Sequence, residues 1–425
     1  MAAASPTRTV YLPLETLDKC AKCSKTTDLR LCSSCSEQIY CSAQCQTADW
    51  PSHKPICGKT DKIDLASFYP FLACLVEASH LQGDKNVPPA LSHQIVNNPH
   101  PTLPPTEFPD GWAGRPVILG NPLTTPPGSD EWWPSAPTPN VRGKLLRRIM
   151  REGSVLPIVT AVCIALLAEM YTTTKKRRIR LRYKSSPISD FGIAMGSARV
   201  TNQDKLAYFR LADGSFDHGQ DPDKHYWIYF TTIRGEDILL DCAMFTFNMC
   251  LMVNETGTYL PQLKPISQFA PAYFRDRKLN DNSPDLHTER KRMSVLRSQT
   301  LHQTVANSVD GFTGADIAVF TSFMQRLSNK KCTVKESDLA GTYASLHCGF
   351  MRLCIQERRW ENWPPTPELA IEQDPGESIG GDDGSEEWFA YLKKWKKMKK
   401  AGKVGNETMA QAHRAWRDKW EAARK

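Results

Sequence analysis

The 425-residue sequence contains no apolar run of the roughly 20 residues that a membrane-spanning helix needs, and its longest apolar stretch is residues 155–168. The first nineteen residues lack the apolar core of a secretory signal. We therefore expect a protein of the nucleus and/or cytoplasm that is not secreted and has no membrane partner. The sequence also lacks the glycine-rich phosphate-binding motifs, the His-Glu-x-x-His motif and the Gly-x-Ser-x-Gly motif. Common signatures of nucleotide-binding proteins, zinc proteases and serine hydrolases are thus missing.

Cysteine is abundant but unevenly distributed, with seven of the fourteen cysteines lying between Cys20 and Cys57. A dense block in a protein of a reducing compartment indicates metal binding rather than disulfides. The candidate ligands are Cys20, Cys23, Cys32, Cys35, Cys41, Cys45, His53 and Cys57. Two pairs have the Cys-x-x-Cys spacing of a tight turn, and two pairs have the i, i+4 spacing of one helix face. Eight ligands fill two closed tetrahedral sites, so the sequence predicts two structural Zn²⁺ ions. The spacing alone leaves both sequential and interleaved pairing open.

This block resembles the MYND-type zinc finger at all eight ligand positions and at neighbouring residues such as Tyr40, Gln46 and Trp50. The resemblance implies interleaved sites, of which one uses Cys20, Cys23, Cys41 and Cys45. The other uses Cys32, Cys35, His53 and Cys57. The resemblance is limited to residues 20–57 and leaves the remainder of the chain unassigned.

The family's fingers are generally protein-interaction modules that bind proline-containing peptides of the form Pro-x-Leu-x-Pro. Its peptide-contacting positions correspond here to Ser33, Gln46 and Trp50. Trp50 has a second interpretation, because so small a finger needs large apolar side chains in its core and the indole ring could be one of them. One Pro-x-Leu-x-Pro sequence also occurs in the chain itself, at residues 101–105. The resemblance implies a zinc-binding adaptor or regulator, and transcriptional regulation is the setting that we expect.

The whole chain is predicted to be of the α+β class, with a small two-zinc finger, a larger α+β domain and a basic helical tail. Residues 1–19 are an N-terminal extension and residues 20–57 the finger. Residues 58–98 carry an amphipathic helical pattern, residues 99–140 are a proline-rich linker, and residues 141–360 are an α+β domain of unknown role. Residues 361–387 have nine acidic residues and no lysine or arginine, which predicts a flexible acidic linker. Residues 388–425 form the basic helical tail, a candidate for weak contact with a polyanion or nucleic acid.

Two enzymatic functions are alternatives to binding. Methyltransferases of the MYND family carry a SET domain with an Asn-His-x-Cys-x-Pro-Asn element, which this sequence lacks. The order Cys163, His225 and Asp241 is similar to the thiol centre of transglutaminases and arylamine acetyltransferases, or of an inactive relative of them. The apolar surroundings of Cys163 argue against a reactive thiolate. We therefore expect a binding protein without catalytic residues, and we keep a transglutaminase-like middle domain as the alternative.

Overall fold

A computed structural model describes residues 8–81, 88–99, 104–173, 178–254, 257–261, 269–275, 286–308, 311–371, 385–405 and 407–423. The helices within these ranges are α1 (Ala43–His53), α2 (Leu65–Leu81), α3 (Pro139–Met150), α4 (Val155–Met170), α5 (Gln299–Asn307), α6 (Gly314–Ser328), α7 (Val334–Gln356), α8 (Ser385–Lys400) and α9 (Met409–Ala422). The strands are β1 (Thr9–Val10), β2 (Arg30–Leu31), β3 (Ile39–Tyr40), β4 (Thr60–Asp64), β5 (His93–Ile95), β6 (Thr106–Glu107), β7 (Ala113–Pro122), β8 (Thr172–Thr173), β9 (Arg178–Tyr183), β10 (Ser186–Ala198), β11 (Leu206–Arg210), β12 (Phe216–His218), β13 (His225–Thr232), β14 (Asp237–Asp241), β15 (Leu251–Asn254), β16 (Phe269–Pro271), β17 (Tyr273–Arg275), β18 (His287–Ser294) and β19 (Leu369–Ile371).

The main sheet runs in the order β17–β14–β13–β10–β9–β4, with β18 also paired to β10. Helix α4 packs on it and is buried along nearly its whole length, because its sequence is apolar on every face. Helices α2, α5, α6 and α7 contribute to the same core. This arrangement confirms the α+β class. Within the described residues no single helix is long and apolar enough to cross a membrane, and α3 and α4 meet that test only as a pair bent by 73°.

The predicted boundary between residues 58–98 and the domain 141–360 does not hold. Strand β4 lies next to β9 in the main sheet, where Ile63 pairs in parallel register with Leu181. Helix α2 then packs its apolar residues into the same core as α4. The two segments therefore share one sheet and one core, which we call the body.

The prediction of a proline-rich linker over residues 99–140 is also wrong for much of its length. Strand β7 occupies the centre of a second sheet, in the order β12–β11–β7–β5 with β6 also on β7. Val117, Leu119, Trp132 and Trp133 are buried in a core of their own beneath this sheet. The Trp132 indole N–H donates to the Ala90 carbonyl at 2.8 Å. Buried apolar side chains and satisfied indole groups hold this segment, and proline content alone did not reveal them.

The acidic segment 361–387 is ordered at its start, where the sequence predicted a flexible linker. Trp360 and Trp363 pack into the core of the body. Strand β19 then pairs with β15, with Val253 opposite Leu369. The acidic residues 372–384 lie outside the described residues.

The basic tail forms a helical hairpin of α8 and α9. The rings of Trp388 and Trp416 lie 5.3 Å apart across the hairpin. Trp395 is buried, and its indole N–H donates to the Glu407 carboxylate at 2.8 Å. The lysines of α8 face solvent, namely Lys393, Lys394, Lys396, Lys397, Lys399 and Lys400. Trp388 and Trp416 thus lie between the two helices of the hairpin.

Candidate functional site: a two-zinc finger and its junction with the body

The first metal cluster contains Cys20, Cys23, Cys41 and Cys45. The Cys23 and Cys41 sulfurs lie 3.4 Å apart, and Cys45 lies 3.6 Å from each of them. The first pair sits on a tight turn, closed by the Ser24 N–H donating to the Cys20 carbonyl at 2.9 Å. The second pair follows β3 and enters α1. The turn and the junction of β3 with α1 thus place the four thiol groups around one point.

The second cluster contains Cys32, Cys35, His53 and Cys57. The Cys32 and Cys57 sulfurs are 3.8 Å apart, and the Cys35 sulfur is 3.5 Å from His53 Nε2. His53 is the last residue of α1, and its side chain is buried. The two clusters alternate along the chain, so the sites are interleaved.

The spacing of these atoms fits zinc. Two sulfurs at about 2.3 Å from one tetrahedral ion lie about 3.8 Å apart, and the observed separations of 3.4–3.8 Å are close to that value. Burial raises the pKa of the Cys20 thiol, but the N–H groups of Cys23, Cys41 and Lys22 outweigh burial and lower it to about 6. Hydrogen bonding to Cys23 in turn raises the pKa of Cys41 to about 12. Neighbouring thiols thus compete for protons, and a bound dication removes this competition by stabilising all the thiolates.

The family model of the MYND finger matches residues 20–57. Residues 20–57 form a MYND finger. No curated protein and no solved structure matches the chain. The finger has two closed sites of four ligands each, which is the donor set for two structural zinc ions. Closed sites leave no coordination position for a substrate, so the metal of this finger serves folding.

The three residues predicted to contact a peptide lie around the second metal cluster. Gln46 and Trp50 are one helical turn apart on α1, and the Gln46 side-chain amide contacts the Cys32 sulfur at 3.6 Å. Ser33 follows Cys32 directly. Trp50 is 41% exposed and packs edge-on against His53, with ring centroids 5.9 Å apart. The ring thus contacts a metal ligand and is partly open to solvent.

The finger is joined to the body through the edge strand β4. Glu37 of the finger accepts a hydrogen bond from the Thr60 hydroxyl at 2.7 Å. Lys62 donates to the Ser34 carbonyl and to the Ser36 hydroxyl. Glu37 also lies within 4 Å of Arg178 and Arg180 on β9. These polar contacts bring Ser33 and its neighbours to the surface of the main sheet.

The three residues of the predicted thiol centre are not assembled together. His225 Nε2 does lie 2.5 Å from an Asp241 carboxylate oxygen. Cys163 is in α4, however, and packs with Ile228 and Phe230 in the core of the body. His225 and Asp241 alternate with those residues along β13 and β14, so they lie on the opposite face of the sheet. Burial also raises the pKa of the Cys163 thiol. His225 is therefore not positioned to activate this cysteine.

The pair of His225 and Asp241 has a third member, His287, which the sequence did not single out. His287 Nε2 lies 2.7 Å from the same Asp241 oxygen, and all three side chains are buried. Two nitrogen or oxygen ligands on one tetrahedral ion are about 3.4 Å apart, so these shorter separations are hydrogen bonds. Burial raises the pKa of Asp241, but the two imidazoles outweigh burial and hold it well below its usual range. The triplet is a buried hydrogen-bonded network that ties β14 to β13 and β18.

Proposed function

We propose that this protein is a zinc-dependent interaction adaptor or regulator whose finger binds a Pro-x-Leu-x-Pro peptide of a protein partner. The observation that carries the proposal is the position of Trp50, which is 41% exposed on a finger whose metal sites are both closed. An indole held against a metal ligand offers a rigid apolar platform to proline and leucine. We include transcriptional regulation in the nucleus and/or cytoplasm in this proposal, on the basis of the family's usual role.

Polar groups beside the platform suit an extended peptide. Gln46 is on the same helix face as Trp50, and Ser33 lies on the neighbouring loop. A proline-rich peptide is already extended before it binds and therefore loses little conformational entropy. Its backbone carbonyls need donors, which the Gln46 amide and the Ser33 hydroxyl can supply. So small a surface predicts weak binding, in the micromolar range.

The test uses the full chain and a fluorescent Pro-x-Leu-x-Pro peptide. Trp50→Ala should weaken binding at least tenfold by fluorescence anisotropy and should leave two zinc ions per chain by elemental analysis. Ile56→Ala is the matched control, because Ile56 is also a large exposed apolar residue of the finger and should bind as the unaltered chain does. If Trp50→Ala loses zinc, the ring is a packing residue and the platform interpretation is wrong.

A second candidate interaction concerns the helical hairpin of the tail. Trp388 of α8 contacts Trp416 of α9, and the lysines of α8 are exposed to solvent. A cluster of exposed lysines attracts polyanions without regard to sequence. We propose weak contact of this hairpin with a polyanion such as nucleic acid, as an addition to the role of the finger.

A further inference from the structure

A cleft of about 160 Å³ lies where the finger meets the body. We call it the junction cleft. Its polar lining comes from the finger loop after Cys32, from β4 and from β9, with Ser33, Ser36, Glu37, Lys62, Arg180 and Arg182 as its main polar residues. The N-terminal segment closes one side, where the Arg297 guanidinium donates to the Pro13 carbonyl at 3.0 Å. Ser33 is also one of the three residues at the proposed peptide site, so the two features adjoin.

The charges of the cleft are unbalanced. Three of the residues that line it are cations, namely Lys62, Arg180 and Arg182, and Glu37 is the one acidic residue among them. Glu37 is already engaged, because one of its oxygens accepts a hydrogen bond from Thr60 and the other is shared between two arginines. Arg182 lies 3.9 Å from the Asp64 carboxylate. The three cations of the cleft therefore have two carboxylates near them, and one of these, Glu37, is shared with Arg178 as well.

Arg180 is the buried cation of the cleft, where its guanidinium lies 5.1 Å from the centroid of the Tyr171 ring. Its side chain is 6% exposed, and its nearest carboxylate oxygen, on Glu37, lies 3.6 Å from Nε, beyond good hydrogen-bond distance. One terminal nitrogen donates to the carbonyl of Ile179 at 3.0 Å. Nε and Nη2 have no hydrogen-bond partner. A buried guanidinium with unused donors is costly, and an additional anion would reduce that cost.

We propose that the junction cleft binds a carboxylate side chain of the partner peptide, so that the partner carries glutamate or aspartate beside its Pro-x-Leu-x-Pro core. This inference rests on the proposed function of the finger. A guanidinium presents donors in a planar fork that matches a carboxylate. The peptide would thus be held at Trp50 by its prolines and leucine, and beyond Ser33 by its acidic flank.

The experiment compares two peptides of identical length that differ only beside the core, with two glutamates on each side in one and two glutamines in the other. Anisotropy with the full chain should give roughly tenfold tighter binding of the glutamate peptide, as one charge-assisted contact would provide. Peptides with glutamates on one side only should locate the preferred flank. A phosphoserine peptide is compared with the glutamate peptide, and tighter binding of the phosphoserine peptide would overturn the assignment of a carboxylate.

Arg182→Gln is the main variant, because Arg182 is the more exposed arginine of the cleft and its removal leaves Arg180 in place. It should reduce the preference for glutamate several-fold and leave the affinity for the glutamine peptide unchanged. Lys184→Gln is the matched control, since Lys184 is an exposed cation on the same hairpin that does not line the cleft. Arg180→Met should abolish the preference, and zinc content together with circular dichroism checks that this variant is folded.

The outcomes separate this inference from the proposed function. If neither peptide binds, the proposed function of the finger is wrong and the inference falls with it. If both peptides bind with equal affinity and both depend on Trp50, the finger recognises the Pro-x-Leu-x-Pro segment alone. Only the cleft proposal is then overturned. If Lys184→Gln reduces the preference as much as Arg182→Gln does, the effect is general surface charge and the cleft proposal is likewise overturned.

Discussion

Removal of zinc should unfold the finger and leave the body folded. The apolar cluster of the finger contains Cys20, Cys32, Cys35 and Tyr40 as its buried members, and three of these four are metal ligands. Burying the side chain of Tyr40 contributes only about 1.5–3 kcal/mol. A structural zinc site contributes roughly 10–16 kcal/mol. The finger therefore has almost no apolar core of its own to keep it folded when the metal leaves.

The body has an independent source of stability. Helix α4 is buried among the apolar residues of α2, α7 and the main sheet. Polar groups at the edge of the body, such as Thr60 and Lys62 on β4, hydrogen-bond to the finger. Loss of these hydrogen bonds should loosen β4 and leave α4 protected.

The assay is hydrogen–deuterium exchange of the full chain, measured by mass spectrometry before and after treatment with a chelator. Amides of α1 should become unprotected, those of β4 should exchange moderately faster, and those of α4 should not change. Cys41→Ser should reproduce the effect without a chelator, and Cys332→Ser, at a half-buried cysteine of the body, should not. Protection of α1 that persists after all zinc is removed would refute the reasoning, as would fewer than two zinc ions per untreated chain.

Three further predictions concern the body and the tail. Glu77→Gln should lower the free energy of unfolding, measured in urea, by roughly 3–5 kcal/mol, because it leaves Arg151 buried beside a neutral amide. A decrease below about 1 kcal/mol would contradict this ion pair. Burial lowers the pKa of His347 to about 3, whereas the unfolded chain takes up this proton below about pH 6.5. Since the unfolded state binds the proton more readily, acidification from pH 7 to 5 should lower the free energy of unfolding by about 2 kcal/mol through this residue. His347→Gln should flatten the pH dependence of unfolding by that amount, and an unchanged slope would show that the residue titrates normally. Binding of duplex DNA to the full chain should weaken steeply between about 50 and 200 mM salt, and Lys396→Gln combined with Lys397→Gln should weaken it further; binding insensitive to salt would point to an apolar contact instead.

Local patterns in the sequence determined the metal centre and several helix ends. The ligand pairs are spaced for tight turns or for one helix face, so each pair is positioned by the few residues around it. Thr313 with Asp316 similarly predicts the start of α6, where both side chains form the expected capping hydrogen bonds. Such features depend on neighbours within about one turn, and the sequence displays them directly.

Only the tertiary structure decided the features that join distant parts of the chain. The parallel pairing of β4 with β9 brings together segments more than one hundred residues apart, and no local pattern specifies that partner. His287 joins Asp241 because β18 lies beside β10 in the sheet, although its own segment is rich in charge. The burial of Trp132 and Trp133 likewise depends on a sheet formed from β5, β7 and β11. Composition predicted a linker there, because proline content reports local backbone preference, whereas burial depends on which distant surfaces the chain brings together.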